Sequence, residues 1–471
     1  MRITRVSMIL TASLVALVPT QARAQNLAGM IKHLFDVGSF NAQSGTVNHA
    51  SHFFLGSQAL TQATRQLNVS LAQQLTSFPI PSSSGGFTFA VNDRGEVIPT
   101  TSTFGPLFAE RGVTIGRNKF NFGFSVQATS YDAFEGLDLE SGELQFVSQH
   151  NNCCPAGLGV PSQATDFNPE FERDLLSSRL RAQIDSRTTA FFANYGITNR
   201  LDVGVAIPIV RVEIDATVNG EILRTATGTA TTHSFDASGA RTAAFSNSGS
   251  ATGIGDVLLR AKYNLFRSES SAFAAALDLR LPTGNEDDLL GTGATQTQVF
   301  LIGSAEYGRF SPHVNFGYTF SNGEASAEAG SAAPDELATL ALPVSVNPLP
   351  VDLSVPDEVN YTFGFDIAAG PRVTLGFDMR GRTIRDVPRF SLTNVTYPNR
   401  GPGALPSASF TVNDEVSLDS TRGNLNVLLG VVGGKINLGG TFLLNVAVLF
   451  PMTDDGLKPK PTPVVGFDYV F

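Results

Sequence analysis

Charged side chains recur at every second position along several segments of this 471-residue chain. Arg179, Arg181, Asp185 and Arg187 share one face of such a segment, and Arg211, Glu213 and Asp215 share another. Asp256, Arg260 and Lys262 follow, then Asp278 and Arg280, Glu306, Asp366, the trio Asp378, Arg380 and Arg382, and Arg422. A period of two is that of a β-strand. Opposite charges on neighbouring strands can pair and hold a wall in shape. They can equally line a narrow polar pore. Both readings stand for each of these residues.

Other chemistry-bearing residues are sparse. Cys153 and Cys154 are adjacent, after His150. They are a candidate vicinal disulfide, part of a metal site, or two thiols of no special role; an oxidising compartment permits the bridge. His49 and His52 have a helical metal spacing, but nothing nearby completes four ligands. Glu286-Asp287-Asp288 lacks the spacing of a Ca²⁺ loop and reads as a solvated acidic tip. His313 and Asn315 share one strand face with no serine obviously paired to them, so a hydrolase is a weak alternative to a luminal hydrogen bond. There is no Walker motif, no G-x-S-x-G and no catalytic Cys/His pair. Hence no catalytic, metal or cofactor site is assigned. The net charge of −10 and the lack of a basic patch argue against nucleic acid as a partner.

The segments carrying these charges have apolar opposite faces. Phe120, Phe122, Phe124 and Val126 oppose Asn121, Ser125 and Gln127; Leu180, Ala182 and Ile184 oppose the first arginines; Leu375, Phe377 and Met379 oppose Asp378 and Arg380. On a lipid face, Arg or Lys near the midplane costs roughly 2–4 kcal/mol. The charged face is therefore expected to point into a lumen. Short connections are read at Thr198–Arg200, Arg267–Ser271, Arg309–Pro312, Ala369–Pro371 and Gly433–Lys435. Long polar ones are read at Asp132–Asp174, Asn219–Gly253, Pro282–Ala294, Asn322–Pro356 and Asp386–Thr421, with an intermediate link at Pro451–Lys460. This alternation predicts an all-β, antiparallel transmembrane barrel of about 12 strands (12–14) over residues 119–471. In Leu201–Thr217 the apolar parity flips after Pro208, which predicts a bulge at Pro208–Ile209.

Composition agrees with a barrel. Charged residues are 16% and Phe is abundant at 35, while mean hydropathy is only +0.05. Arg2 and Arg5, the apolar run Met8–Val18 and Ala22-Arg23-Ala24 read as a signal peptide over residues 1–24, cleaved after Ala24. Residues 25–118 are expected to be partly helical, at Asn26–Phe35 and Ser57–Leu75, with a short hairpin at Phe87–Val91 and Glu96–Thr101. Residues 25–100 are expected to plug the barrel or pack beneath it. The chain ends Val465-Gly466-Phe467-Asp468-Tyr469-Val470-Phe471. Phe467, Tyr469 and Phe471 share a face suited to outer-membrane lipid.

That ending resembles the terminal signal of bacterial outer-membrane barrels, which implies recognition by the barrel assembly machinery. Ser102-Thr103-Phe104-Gly105-Pro106-Leu107-Phe108-Ala109-Glu110-Arg111, Thr114-Ile115-Gly116-Arg117, Asn199-Arg200-Leu201-Asp202-Val203-Gly204-Val205 and Gly253-Ile254-Gly255-Asp256-Val257 carry a second resemblance. With Leu281-Pro282-Thr283-Gly284-Asn285 and Gly291-Thr292-Gly293, they are similar to the outer-membrane family labelled meta-pathway of phenol degradation, often called simply transporter. The resemblance covers most of residues 102–471. It implies a channel for small hydrophobic or aromatic solutes and supplies no catalytic residues. Long-chain fatty acid transporters are a more distant likeness, and their Asn-Pro-Ala hatch motif is missing here. The readings left by the residues are such a channel, a non-conducting structural or surface-binding barrel, and an outer-membrane hydrolase.

Overall fold

The computed structural model describes residues 101–149, 174–223, 233–324, 354–400 and 410–470, with short pieces before residue 101. Twelve strands form a ring: β1 (Phe120–Phe134), β2 (Leu175–Gly196), β3 (Leu201–Leu223), β4 (Val257–Arg267), β5 (Ser271–Leu281), β6 (Thr295–Ala305), β7 (Phe310–Asn322), β8 (Glu358–Gly370), β9 (Val373–Arg400), β10 (Phe410–Gly439), β11 (Phe442–Pro451) and β12 (Thr462–Val470). Each pairs antiparallel with the next, and β12 returns to β1 with Phe467 opposite Phe124. The barrel is closed, so no strand edge is left around the wall.

Period-two alternation decides which side chains face out. On β5, Ala272, Ala274, Ala276 and Asp278 are buried, while Phe273 and Leu277 are exposed. The outward row continues around the ring through Tyr263, Leu301, Val314, Phe316 and Phe363, all exposed. Such a belt suits hydrocarbon and would be a liability in water. Phe467 and Tyr469 belong to it, packed on Phe124 at 5.5 Å and on Phe442 at 4.7 Å between ring centroids. Phe471 lies outside the described residues.

β3 is 23 residues long, whereas a tilted strand crosses a bilayer in about 9–11. Its upper half therefore stands clear of the belt, and this overturns the expected bulge at Pro208–Ile209. Pairing with β2 runs unbroken through Ala190↔Pro208 and Thr189↔Ile209. Even-numbered residues stay on the covered side along the whole strand, from Asp202 to Ile222. The polarity inverts because both surroundings change. Below, outside is lipid and inside is polar; above, outside is water and inside is an apolar core. The offset is in the neighbouring strand on the other side of β3, Thr242–Ile254 running on into β4, where 255–257 span the gap between Ile254↔Ile209 and Leu258↔Ala206.

Four connections also differ from expectation. Within the expected Asp132–Asp174 link, Leu144–Gln149 is a strand paired to β2; within Asn219–Gly253, β3 runs on to Leu223 and Thr242–Ile254 is a strand paired to it. Gly433–Lys435 is no turn. It lies within β10, paired to β9 and β11, and the turn comes after Gly439. Gly433 is there for close packing: a Cβ would sit 2.3 Å from the Val446 carbonyl oxygen. Asp386–Thr421 is no loop over most of its length. β9 and β10 stay paired from Val387↔Gly423 to Arg400↔Phe410, past an irregularity at Asp386 with φ +51°. The polar sequence there reflects strands in water rather than a missing sheet.

The apolar core fills the barrel's long-loop end. Phe134, Leu144, Phe146, Leu180, Ile184, Val212, Ile214, Phe390 and Leu457 form it, joined by Leu27, Met30, Leu71 and Leu75 from the N-terminal region. Those last residues fall in the expected helices, and 27, 28, 30, 70, 71, 74 and 75 are helical. The expected hairpin is present as Phe89–Val91 paired with Val97–Pro99.

Candidate functional site

The inward faces of β4 to β9 carry Arg260, Lys262, Asp278, Arg280, His313, Asn315, Asp366, Asp378, Arg380 and Arg382. Much of this set is engaged by residues 102–117, an irregular segment that enters the short-turn end just before β1. Asp378 is the main anchor. Its Oδ2 accepts the backbone N–H of Leu107 at 3.1 Å, Phe108 at 2.7 Å and Ala109 at 3.3 Å. Three convergent amides make a fixed cradle for one carboxylate oxygen. The other oxygen is 2.6 Å from His313 Nε2.

The rest of the segment is pinned in the same manner. Asn315 accepts from the Glu110 N–H at 2.7 Å and donates to the Glu110 carbonyl at 3.0 Å, as a neighbouring strand would. The Glu110 carboxylate meets Arg260 at 2.5 Å and Lys262 at 3.2 Å. Arg111 pairs with Asp366 at 2.8 Å, with both side chains buried. Asp202 accepts from the Ile115 N–H at 2.9 Å. Glu306, at the rim, accepts from the Ser102 N–H at 2.6 Å. Buried charges left unpaired would be costly; here Glu110 and Arg111 of the segment pair with Arg260, Lys262 and Asp366 of the wall, while one oxygen each of Asp202 and Asp366 has no hydrogen-bond partner among the described residues.

Between this segment and the apolar core lies a cavity of about 160 Å³. Phe108 and Glu110 line it from the segment, Tyr131, Leu457 and Gln74 from the apolar side, and Arg260, Arg280, Arg380 and Arg382 from the wall. Arg260 holds Asp278 through two bonds of 2.7 and 2.6 Å and lies 5.3 Å from the Phe300 ring centre.

Several residues expected in the lumen are elsewhere. Arg179, Arg181, Arg187 and Arg211 are exposed, on the face opposite Leu180, Ala182, Ile184 and Val212, which are buried. Asp185 and Glu213 share that outer face: Ser130 donates to Asp185, and Arg211 pairs with Glu213. All six stand above the belt, facing water. Asp256 is buried but latches the 282–294 loop, accepting from Gly284 N–H at 3.1 Å and Thr292 N–H at 2.8 Å. Gly284 and Gly291 pack backbone to backbone beneath it, where a Cβ on Gly284 would lie 2.7 Å from the Gly291 Cα. Arg422 pairs with Asp386 at 3.0 Å, both outside the cavity. Cys153 and Cys154 lie outside the described residues, as do His49 and His52. His313 Nε2 is on Asp378, and Nδ1 lies 3.9 Å from Asp366 with no hydrogen-bond partner among the described residues.

What the sequence reading missed is residues 102–117 as the segment the lumen holds. The inward carboxylates without a cation at the same register on a neighbouring strand, such as Asp378, together with the glycines at 105, 112 and 116, were the available signal.

A family model described as "Putative MetA-pathway of phenol degradation" matches residues 177–348. The resemblance read from the motifs is borne out over that stretch. No curated protein matches the sequence. Among solved structures, an outer-membrane channel from Pseudomonas putida F1 is 11% identical, covering 76% of this chain and 98% of its own, with a TM-score of 0.40. A Pseudomonas aeruginosa FadL homologue is 9% identical over 76% of this chain and 90% of its own, with a TM-score of 0.29. The Ralstonia pickettii toluene transporter TbuX is 10% identical, with the same coverages and a TM-score of 0.29.

Proposed function

We propose that the chain is an outer-membrane channel for small hydrophobic solutes, aromatic ones among them. The observation that carries this reading is the cavity between an apolar core and a segment tied to the wall by polar contacts. A cavity of about 150 Å³ with apolar walls holds benzene, so one aromatic ring fits the space. The apolar core at the long-loop end suits entry of such a solute from outside. The hydrogen bonds and ion pairs of residues 102–117 can exchange with water without disturbing the barrel ladder, which makes this segment the movable part. The phenol-degradation label of the matching family points to the same solute class.

Proteoliposomes holding the full chain should take up radiolabelled phenol and toluene several-fold faster than empty vesicles. They should admit a disaccharide no faster. Equal uptake of phenol with and without protein would reject the reading.

A further inference from the structure

The cavity wall carries a charge that its neighbours leave unanswered. Four arginines line it, Arg260, Arg280, Arg380 and Arg382, against three carboxylates, Glu110, Asp278 and Glu358. The carboxylates are already engaged. Asp278 binds Arg260 with both oxygens, Glu110 is shared by Arg260 and Lys262, and Glu358 lies 3.6 Å from Arg382. Arg380 makes no ion pair or hydrogen bond among the described residues; Glu358 acts on it from a distance, against the like charges of Arg382, Arg280 and Arg260. Its inward neighbours across the β9–β10 ladder are apolar: Arg380 is the register partner of Leu429, and Arg382 of Val427. A cationic row therefore runs beside an apolar one, with Phe108 and Phe300 completing the greasy side.

We propose that this cavity takes a small amphipathic anion, an aromatic or short apolar carboxylate. Its carboxylate sits on Arg380 and its hydrocarbon body lies against Leu429, Phe108 and Phe300. The proposal rests on the channel reading and narrows it from hydrophobic solutes in general to their acids. A guanidinium matches a carboxylate with two parallel hydrogen bonds. A neutral aromatic leaves Arg380 unpaired in the lumen, and a fully hydrated anion gains nothing from the apolar row. Only a solute with both parts satisfies both rows.

Titration calorimetry on the purified full chain, with benzoate and benzyl alcohol as probes, tests this. Benzoate should bind about tenfold more tightly than benzyl alcohol, because a charge-assisted hydrogen bond is about twice as strong as a neutral one. Arg380→Gln should erase most of that ratio, and Arg380→Lys should keep part of it, since a single ammonium pairs without the fork. Equal affinities of the two probes for the unaltered protein would overturn the proposal. So would a ratio that survives in Arg380→Gln. Benzyl alcohol uptake without any benzoate preference sinks this inference alone, whereas failure of both probes to bind or pass sinks the channel reading with it.

Discussion

Asp378 and Glu286 show how differently two carboxylates of this chain are used. Asp378 faces three backbone amides and a histidine, so its charge is spent holding residues 107–109 against the wall. Glu286 lies in the 282–294 loop, where burial and then the charges of Asp287 and Asp256 hold its carboxyl above the usual glutamate range. Burial also raises Asp288, despite the Asn285 amide that donates to it at 2.8 Å. A raised acid holds its proton more firmly in the packed loop than in the opened one. The loop is therefore favoured below the ordinary pKa of these acids, and that advantage is lost as pH rises through their raised values. Amide exchange at Leu289 and Leu290, which bond back to Glu286 and Asn285, measures this. Corrected for intrinsic rates, protection should fall as pH rises above about 4, the ordinary value of these acids. Protection independent of pH would contradict it. At this scale the charges of β4 to β9 were legible in the sequence as inward, because period two admits only two faces and the other is apolar. What each charge grips was not legible. The backbone partners of Asp378 lie about 270 residues away in sequence, and no spacing rule links them.

The strands teach a different lesson. β2 and β3 keep one facing throughout, yet their polarity pattern inverts above Thr189 and Ile209. Alternation reveals the period of an element and not the solvent on either side. That ambiguity misplaced Arg179, Arg181, Asp185, Arg187, Arg211 and Glu213, and it suggested a bulge that the ladder does not contain. The polar stretch after Asp386 was lost to the same cause, since strands standing in water lack a lipid-facing row. Substitutions on one face of β3 should separate the two surroundings. Val205→Arg falls in the belt, where an arginine near the midplane costs about 2–4 kcal/mol. It should sharply reduce the heat-modifiable, folded form in isolated membranes. Thr217→Arg lies on the same outward face above the belt and should leave that form at its usual level. Equal behaviour of the two variants would place the lipid boundary elsewhere.

At the scale of the whole molecule, twelve closed strands enclose three layers: an apolar core at the long-loop end, the arginine-lined cavity, and residues 102–117 across the short-turn end. The count of strands and the even closure were legible, because alternating short and long connections leave little freedom once one face is lipid. Residues 25–100 were expected to plug the barrel or pack beneath it; most of them lie outside the described residues, while Leu27, Met30, Leu71 and Leu75 join the apolar core and residues 102–117 cross the lumen. An irregular segment has no periodicity to announce its place; only the pattern of inward carboxylates and amide acceptors reveals it. In the proposed channel this segment sets the bore and is held there chiefly by Asp378. Single-channel recording in planar bilayers, comparing the unaltered chain with Asp378→Ala, tests it most directly. Loss of the carboxylate frees three amides and one histidine, so conductance should rise several-fold, with frequent transitions between levels and an unchanged heat-modifiable barrel. A folded Asp378→Ala barrel with the same small, steady conductance as the unaltered chain would contradict it.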